Sequence, residues 1–225
     1  MHHTTPQLLL LESSGLTCSA AVSSGNQILA MKSINEMNVH STYLAVYAQD
    51  VMREAKLNFN DLDAVVVSAG PGSYTGLRIG SSLAKGICYA SGKPLIAVSS
   101  LRAVMESANT TGYCLATVDA RRNDAYIALY SDKNEVLEEQ FVTFDEDFKE
   151  RLEGHDIIYV SGDASKKCIE AYPELNLHLV ENEMDASSLL PEALIKFQKK
   201  QFEDLAYFEP NYIKAVHITP PKKKL

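Results

Sequence analysis

The sequence predicts an α/β protein made of two similar lobes, on three observations. Apolar runs of strand length alternate with helical segments along the chain of 225 residues. The order of three strands, a helix, a strand and a helix occurs once in each half. In each half an acidic residue, Glu12 or Asp119, ends the first strand thirteen residues before the tip of the next hairpin, at Gly25 or Asp132. This shared spacing indicates a duplicated unit.

The first half shows the pattern most clearly, in the order βββαβαβα. Gly25-Asn26 forms a hairpin turn between two strands, and the continuous apolar run 64–68 is typical of a strand buried on both faces. Ser41 is expected to cap the first helix, and Ser99 or Ser100 the third. The predicted strands are 7–12, 18–24, 27–34, 64–68 and 95–98, and the predicted helices are 41–55, 76–90 and one that ends near 108.

The second half repeats this order. Asp145 is expected to cap a short helix, and a long helix is expected from Ser187 to Phe202. The predicted strands are 113–118, 125–130, 136–142, 157–160 and 177–180, and the predicted helices are 148–152, 166–171 and 187–202. The repeated units predict two ribonuclease H-like lobes with a cleft between them, the architecture of the sugar kinase, Hsp70 and actin superfamily.

The predicted division of the chain follows from this repeat. A first lobe with docking helices is expected at 1–109. A second, reduced lobe is expected at 110–225, and we assign to it the C-terminal helix and a basic tail. The tail contains Lys222, Lys223 and Lys224, and such a block is either a solvated chain end or an RNA contact.

Composition and charge predict a cytoplasmic protein without a membrane segment. Apolar residues make up 46% of the chain and charged residues 22%, the balance of a globular protein. No run of about 18 apolar residues occurs, and the N-terminus lacks the pattern of a signal peptide. The formal charge of −8 does not favour direct binding to a phosphate backbone. The wide spacing of the four cysteines predicts reduced core residues rather than a disulfide or zinc site.

The segment from Ser68 to Ala90 is rich in glycine and starts at the end of a predicted strand. In one interpretation, the amides at the start of the following helix bind a phosphate. In the other, the segment is a tight turn whose glycines serve backbone geometry. The pattern matches neither of the common phosphate-binding motifs, and Lys85 lies too far along the helix to reach a phosphate at its start. Local chemistry therefore favours the tight turn.

Two helices of the first lobe have features of an interface. Small side chains recur at every fourth position from Gly76 to Cys88, and this ridge packs either on the protein's own sheet or on a partner helix. The helix 41–55 has more apolar surface than one buried stripe requires, which indicates an interface or burial between the lobes. The predicted partner-binding residues are Tyr43, Leu44, Tyr47, Val51, Gly76, Gly80, Ala84 and Cys88.

Several segments together resemble the TsaB (YeaZ) family. They are 8–22 (LLLLESSGLTCSAAV), 70–80 (GPGSYTGLRIG), 94–101 (PLIAVSSL), 119–126 (DARRNDAY) and 210–213 (PNYI). The match is dense from Leu8 to Tyr126 and sparse after it. Together these segments are specific, although each alone is weak. The family belongs to the two-lobed superfamily that the repeated units predict.

The resemblance implies a subunit of the bacterial complex that installs threonylcarbamoyl on the adenosine beside the anticodon of certain tRNAs. In this family the subunit works with TsaD, a related catalytic subunit, and with TsaE, an ATPase. We therefore expect docking on a TsaD-like subunit, with a TsaE-like ATPase as second partner. We also expect contact with tRNA only through the complex. The helices that dock on the TsaD-like subunit could instead pair with a second copy of this chain when it is isolated, and the sequence leaves this alternative open. ATP is used by the assembled complex, and no cofactor is expected on this chain alone.

The resemblance also implies that two sites are lost. TsaD-like enzymes bind a metal through two histidines of an HxxxH pair on one helical face. Ser100 and Val104 stand at the matching positions, and neither side chain can replace an imidazole ligand. Ser161-Gly162-Asp163 replaces the glycine pair that is expected beside an adenosine. No metal site and a reduced nucleotide pocket are therefore expected.

A vestigial ligand cleft is expected from residues at the strand ends and the glycine-rich turn. These residues are Glu12, Ser13, Gly72, Asp119 and Arg121. Glu12 and Asp119 either form a paired-carboxylate site or cap turns, and no residue is predicted to be catalytic.

The predicted function is a non-catalytic scaffold, a pseudoenzyme that positions and activates a TsaD-like enzyme. One alternative is a peptidase, because relatives of TsaD were labelled glycoproteases, although no activated nucleophile or metal motif supports it. Another is an ATP-dependent small-molecule kinase of the same superfamily, against which the weak phosphate loop and Asp163 argue.

Overall fold

Two five-stranded sheets form the frame of the chain. The computed structural model describes residues 5–211. Its strands are β1 (Gln7–Glu12), β2 (Thr17–Ser24), β3 (Gln27–Asn35), β4 (Ala64–Ser68), β5 (Leu95–Val98), β6 (Tyr113–Asp119), β7 (Asp124–Ser131), β8 (Asn134–Thr143), β9 (Ile158–Gly162) and β10 (Leu177–Leu179). Its helices are α1 (His40–Glu54), α2 (Tyr74–Ser91), α3 (Ser100–Ala108), α4 (Glu146–Leu152), α5 (Ser165–Ala171) and α6 (Leu190–Gln198), with short 3₁₀ turns at Phe59–Asp61 and Ala186–Leu189.

The strand order confirms the predicted duplication. The first sheet has the order β3-β2-β1-β4-β5 and the second β8-β7-β6-β9-β10. In each sheet the first strand pairs antiparallel with the second and parallel with the fourth. The two ribonuclease H-like lobes expected from the sequence are therefore present, and each sheet places the carboxyl end of its first strand next to that of its fourth.

The outer faces of the two sheets are covered by helices of the same lobe. On the first sheet, α1 and α2 pack over the apolar side chains of β1, β2 and β4. On the second sheet, Phe148 of α4 and Cys168 of α5 pack over Leu115 and Ile127. β4 is buried along its whole length, as its continuous apolar run predicts.

The inner faces of the sheets are covered by helices that cross between the lobes. Leu101 and Met105 of α3, which follows the last strand of the first sheet, pack on the second sheet. The 3₁₀ turn Ala186–Leu189 and α6, which follow the last strand of the second sheet, pack on Leu8 and Leu10 of the first. Assigning the C-terminal helix to the second lobe was therefore wrong, because its apolar face covers the first sheet. The predicted division near residue 109 stays a prediction.

The C-terminal helix is also shorter than predicted. α6 ends at Gln198 instead of Phe202, and Lys200 has a φ of 54°, which the helix cannot continue. The following segment crosses to the edge of the first sheet, where the Glu203 N–H donates to the Leu95 carbonyl at 2.9 Å. Pairing with the edge of β5 draws these residues out of the helix and covers that edge.

Two of the three predicted helix caps are confirmed. The Ser99 hydroxyl accepts from the amides of the first turn of α3, and the Asp145 carboxylate accepts from the Phe148 N–H. The predicted Ser41 cap is wrong, because α1 begins at His40, and Val39 precedes it without a side-chain cap.

Two further predictions concern the chain ends and membrane crossing. The basic tail, Lys222 to Lys224, lies outside the described residues, as does the end of the 210–213 segment. Within residues 5–211, no helix combines the length and apolar character that a membrane crossing requires.

Candidate functional site

The first lobe has a crevice where β1 and β4 end and α2 begins. The chain turns back at Ser13-Ser14, and this turn lies against the start of α2. The Ser13 N–H donates to Ser68 Oγ at 3.3 Å, and the Ser13 hydroxyl donates to the Gly76 carbonyl at 3.0 Å. The Ser14 carbonyl accepts from the Ser73 N–H at 2.7 Å. The turn and the helix therefore hold each other through main-chain and side-chain hydrogen bonds.

The glycines beside this turn are required by its close approach. A Cβ atom at Gly72 would lie 2.3 Å from the Ser14 carbonyl oxygen, and one at Gly76 would lie 2.0 Å from that of Ser13. A Cβ atom at Gly80 would lie 2.2 Å from Ser13 Oγ. All three distances are far inside van der Waals contact, so only glycine leaves room for the turn.

This packing supports the tight-turn interpretation over the phosphate loop. The Gly76 N–H, one of the free amides of the first turn of α2, donates to the Ser73 hydroxyl at 3.3 Å. The Ser13-Ser14 turn lies on the glycine side of the same helix end. Lys85 reaches away from this end and donates to the Phe208 carbonyl at 3.1 Å, which ties the C-terminal segment to α2.

Glu12 lies under the same turn and is fully buried. Its Oε1 accepts from the Ser14 N–H at 2.5 Å and from the Ser14 hydroxyl at 2.6 Å, whereas Oε2 has no hydrogen-bond partner among the described residues. Burial raises the pKa of the Glu12 carboxyl to about 7, and the hydrogen bonds from Ser14 oppose part of this rise. Glu12 and Ser13, which were expected to line a vestigial ligand cleft, are both enclosed by the turn, so their side chains are not open to a ligand.

Asp119 holds the equivalent turn of the second lobe. Its Oδ1 accepts from the Arg121 N–H at 2.9 Å and from Lys167 Nζ at 2.6 Å. Its own N–H donates to Asp163 Oδ1 at 2.6 Å. Asp163 therefore stabilises the second-lobe turn by accepting this hydrogen bond. The exposed, ion-paired Asp119 and the enclosed Glu12 have no partner in common, so the geometry favours turn capping over a paired-carboxylate site.

The positions that match the histidine pair lie in the packed region between the lobes. The Ser100 N–H donates to the Gly70 carbonyl at 2.9 Å. Val104 is buried against the inner face of the second sheet. In residues 5–211, no group of three or more histidine, cysteine, aspartate or glutamate side chains could hold a metal. That the chain binds no metal stays a prediction.

Most of the predicted partner-binding residues lie in the core of the same chain. The ridge of small residues on α2 faces the sheet, because Gly80 adjoins Ser13 and Val67. Only Tyr43 and Tyr47 of the predicted set reach the surface. The buried residues, for which the prediction was wrong, are Leu44, Val51, Gly76, Gly80, Ala84 and Cys88.

A different set of residues forms the exposed surface of α1 and α2. On α1, Tyr43 and Val46 are 38% and 48% exposed, and Tyr47 is partly exposed beside them. On α2, small residues again recur at every fourth position, and all of these are exposed. We call this surface the docking face; it consists of Tyr43, Val46, Tyr47, Ser82, Gly86 and Ala90. The repeat at 82, 86 and 90 was visible in the sequence but was not recognised.

Comparison with known proteins places the chain in a family. A family model described as TsaD, tRNA N6-adenosine threonylcarbamoyltransferase, matches residues 27–223. The tRNA threonylcarbamoyladenosine biosynthesis protein TsaB of Haemophilus influenzae is 26% identical over 95% of this chain and 91% of its own length. The protein of that name from Bacillus subtilis is 32% identical over 59% of this chain and 58% of its own length.

A solved structure supports the same placement at the level of the fold. It comes from Pseudomonas aeruginosa and is described as an uncharacterized protein with similarity to peptidase YeaZ. It matches with a TM-score of 0.80 at 22% identity, over 93% of this chain and 100% of its own. Because the family model also spans most of the sequence, the chain belongs to the family that this model describes, in which it groups with the TsaB (YeaZ) proteins.

Proposed function

We propose that the chain is a non-catalytic subunit in the biosynthesis of threonylcarbamoyladenosine in tRNA, acting in the cytoplasm. In this role it docks on a TsaD-like catalytic subunit through the docking face and positions that enzyme. Membership of the TsaB group supports the pathway. The observation that carries the docking proposal is Gly86, an exposed glycine in the interior of α2. Among the described residues, none lies within 4 Å of a Cβ atom placed at this position.

No contact within the described part of the chain explains why position 86 is a glycine. A glycine in an exposed helix interior costs about 1 kcal/mol relative to alanine. For Gly76 and Gly80 the close approach of Ser13 offsets this cost, but nothing in residues 5–211 comes within 4 Å of a Cβ atom placed at Gly86. Two helices approach to about 8 Å only where the contacting side chains are small. A helix from another subunit, packed closely along Ser82, Gly86 and Ala90, would explain why position 86 is a glycine.

The apolar row on α1 supports the same surface. Val46 and Tyr47 follow Tyr43 by three and four residues, so all three lie on one side of the helix. Tyrosine is enriched at the centres of protein interfaces. In the isolated subunit, the docking face would pair two copies of the chain.

The remaining features favour a supporting role over catalysis. The first-lobe crevice is filled by the Ser13-Ser14 turn, and Asp119 is held by Lys167 and the second-lobe turn. The net charge of −8 disfavours binding tRNA directly, so tRNA is reached through the complex. ATP is used by the assembled complex, with a TsaE-like ATPase as the second partner.

Reconstitution tests the proposed function. The pure chain alone should leave unmodified tRNA unchanged. Modification should appear when the chain is added to a TsaD-like subunit, a TsaE-like ATPase, ATP and the threonylcarbamoyl precursors, and it should be absent when only this chain is omitted. Modified adenosine is measured by mass spectrometry. Modification, peptide cleavage or ATP turnover by the chain alone would instead favour one of the enzyme alternatives.

Gly86→Leu tests the docking face. A leucine side chain at this position would separate the paired helices, so the affinity for the TsaD-like subunit should fall roughly 10- to 100-fold. The melting temperature of the lone chain should stay the same or rise, because leucine favours a helix more than glycine does. Glu170→Leu is the matched control, since it adds the same side chain at an exposed position of α5 in the other lobe. If Gly86→Leu bound the TsaD-like subunit with unchanged affinity, docking through this face would be ruled out.

A further inference from the structure

The Ser13-Ser14 turn sits in a notch of the helix that bears half of the docking face. Gly76 and Gly80 form the notch, and Ser13 enters it to contact both of them. Gly86 lies on the same helix, on its exposed side. A displacement of the first turns of α2 at the notch would therefore change the placement of Ser82, Gly86 and Ala90, because they lie on the same helix.

The buried Glu12 side chain holds this turn through hydrogen bonds to Ser14. Its Oε1 accepts two hydrogen bonds from Ser14, through the main-chain N–H and the hydroxyl. Ser14 is itself buried, so its donors have no water to replace a lost acceptor, and leaving them unpaired is costly. The carboxylate is thus the group that fixes the geometry of the turn.

The contacts continue from Ser14 into the helix. The Ser14 carbonyl accepts from the Ser73 N–H at 2.7 Å. Ser73 is the N-cap of α2, and its hydroxyl accepts from the Gly76 N–H. A continuous chain of hydrogen bonds therefore leads from the Glu12 carboxyl through Ser14 and Ser73 to the first turn of α2.

We infer that Glu12 is a positioning residue for docking, which fixes the start of α2 through Ser14 and Ser73 and so sets the placement of Gly86 against the partner helix. The inference rests on the proposed function, because the occupant of the docking face is the TsaD-like catalytic subunit. Close helix pairs tolerate little displacement, since the small-residue contact depends on short distances between main chains.

Hydrogen exchange of the lone chain tests the first half of the inference. In Glu12→Ala the amides in the first turn of α2 should exchange roughly tenfold faster, because the turn that holds this helix end is loosened. Glu12→Gln should exchange like the wild type, since the amide oxygen of glutamine accepts the same two hydrogen bonds. Ser14→Ala, which removes only the hydroxyl donor, is a milder second variant and should show a smaller increase. Unchanged exchange in both Glu12→Ala and Ser14→Ala would overturn the positioning role.

Affinity for the TsaD-like subunit tests the second half. Glu12→Ala should weaken binding roughly tenfold, and Glu12→Gln should restore it. Ile127→Ala, a cavity in the core of the second lobe, is the control for general destabilisation and should leave the affinity unchanged. Equal losses in Glu12→Ala and Ile127→Ala, or no loss in either, would overturn the inference. Failure of the wild-type chain to bind would instead refute the proposed function, and the exchange result would still decide whether Glu12 fixes the turn.

Discussion

Replacing Gly80 by leucine should destabilise the lone chain by about 3 kcal/mol or more. The first added atom would lie 2.2 Å from Ser13 Oγ and 3.4 Å from Val67 Cγ2. The rest of the side chain would have to enter the core between α2 and the first sheet. Overpacking of a filled core costs about 1–3 kcal/mol and sometimes more, and here the Ser13-Ser14 turn would also be expelled from its notch. Urea unfolding followed by circular dichroism gives the free energy of unfolding.

Gly86→Leu is the control for this change, because the same substitution is made six positions later in the same helix. A Cβ atom at this position meets nothing within 4 Å in the described range 5–211, so the free energy of unfolding should be unchanged or higher. The two variants together separate the two rows of small residues on α2. If Gly80→Leu unfolded at the urea concentration of the wild type, the row at 76, 80, 84 and 88 would not be core, and the assignment of the docking face would have to be reversed.

Much of the fold could be predicted because its signals are local. The strand β5 is predicted to the residue, and β4 is recognised from its uninterrupted apolar run. The crossing of α3 and α6 between the lobes could not be predicted. Periodicity shows that a helix has an apolar face, but it does not show whether the buried side of α6, with Leu190 and Ala193, covers the first sheet or the second. Only the path of the chain between the lobes decides which sheet it covers.

The candidate site could likewise be predicted only in part, because its arrangement depends on contacts between residues far apart in the sequence. A period of four on α2 is visible in the sequence, but two rows have it, and composition does not show which one faces the sheet. The contact that decides this is Ser13 in the notch of Gly76 and Gly80, and those residues are more than sixty positions apart. The position of Glu12 at a strand end was predicted, whereas its burial depends on that same distant contact.

Glu12 should make the free energy of unfolding depend on pH. The pKa of its carboxyl is about 7 in the folded chain, against an ordinary value of 4.5, so the folded state holds the proton more tightly. As the pH rises from 4.5 to 7, the unfolded chain releases this proton first, and the contribution of Glu12 to stability is lost across this window. Above pH 7 the folded chain contains a buried carboxylate, at a cost of about 3 kcal/mol relative to the protonated form.

Glu12→Gln should remove this dependence. Glutamine keeps the acceptor for Ser14 and cannot ionise, so the variant should match the wild type near pH 4.5 and exceed it by about 3 kcal/mol near pH 8. Urea unfolding of both proteins across this pH range measures the difference. Glu170→Gln makes the same change at an exposed position of α5. Its free energy of unfolding should depend on pH in the same way as that of the wild type. If the free energy of unfolding of Glu12→Gln also followed that of the wild type across this pH range, the Glu12 carboxyl would titrate alike in the folded and unfolded chains. That result is incompatible with the enclosure of Glu12 beneath the Ser13-Ser14 turn.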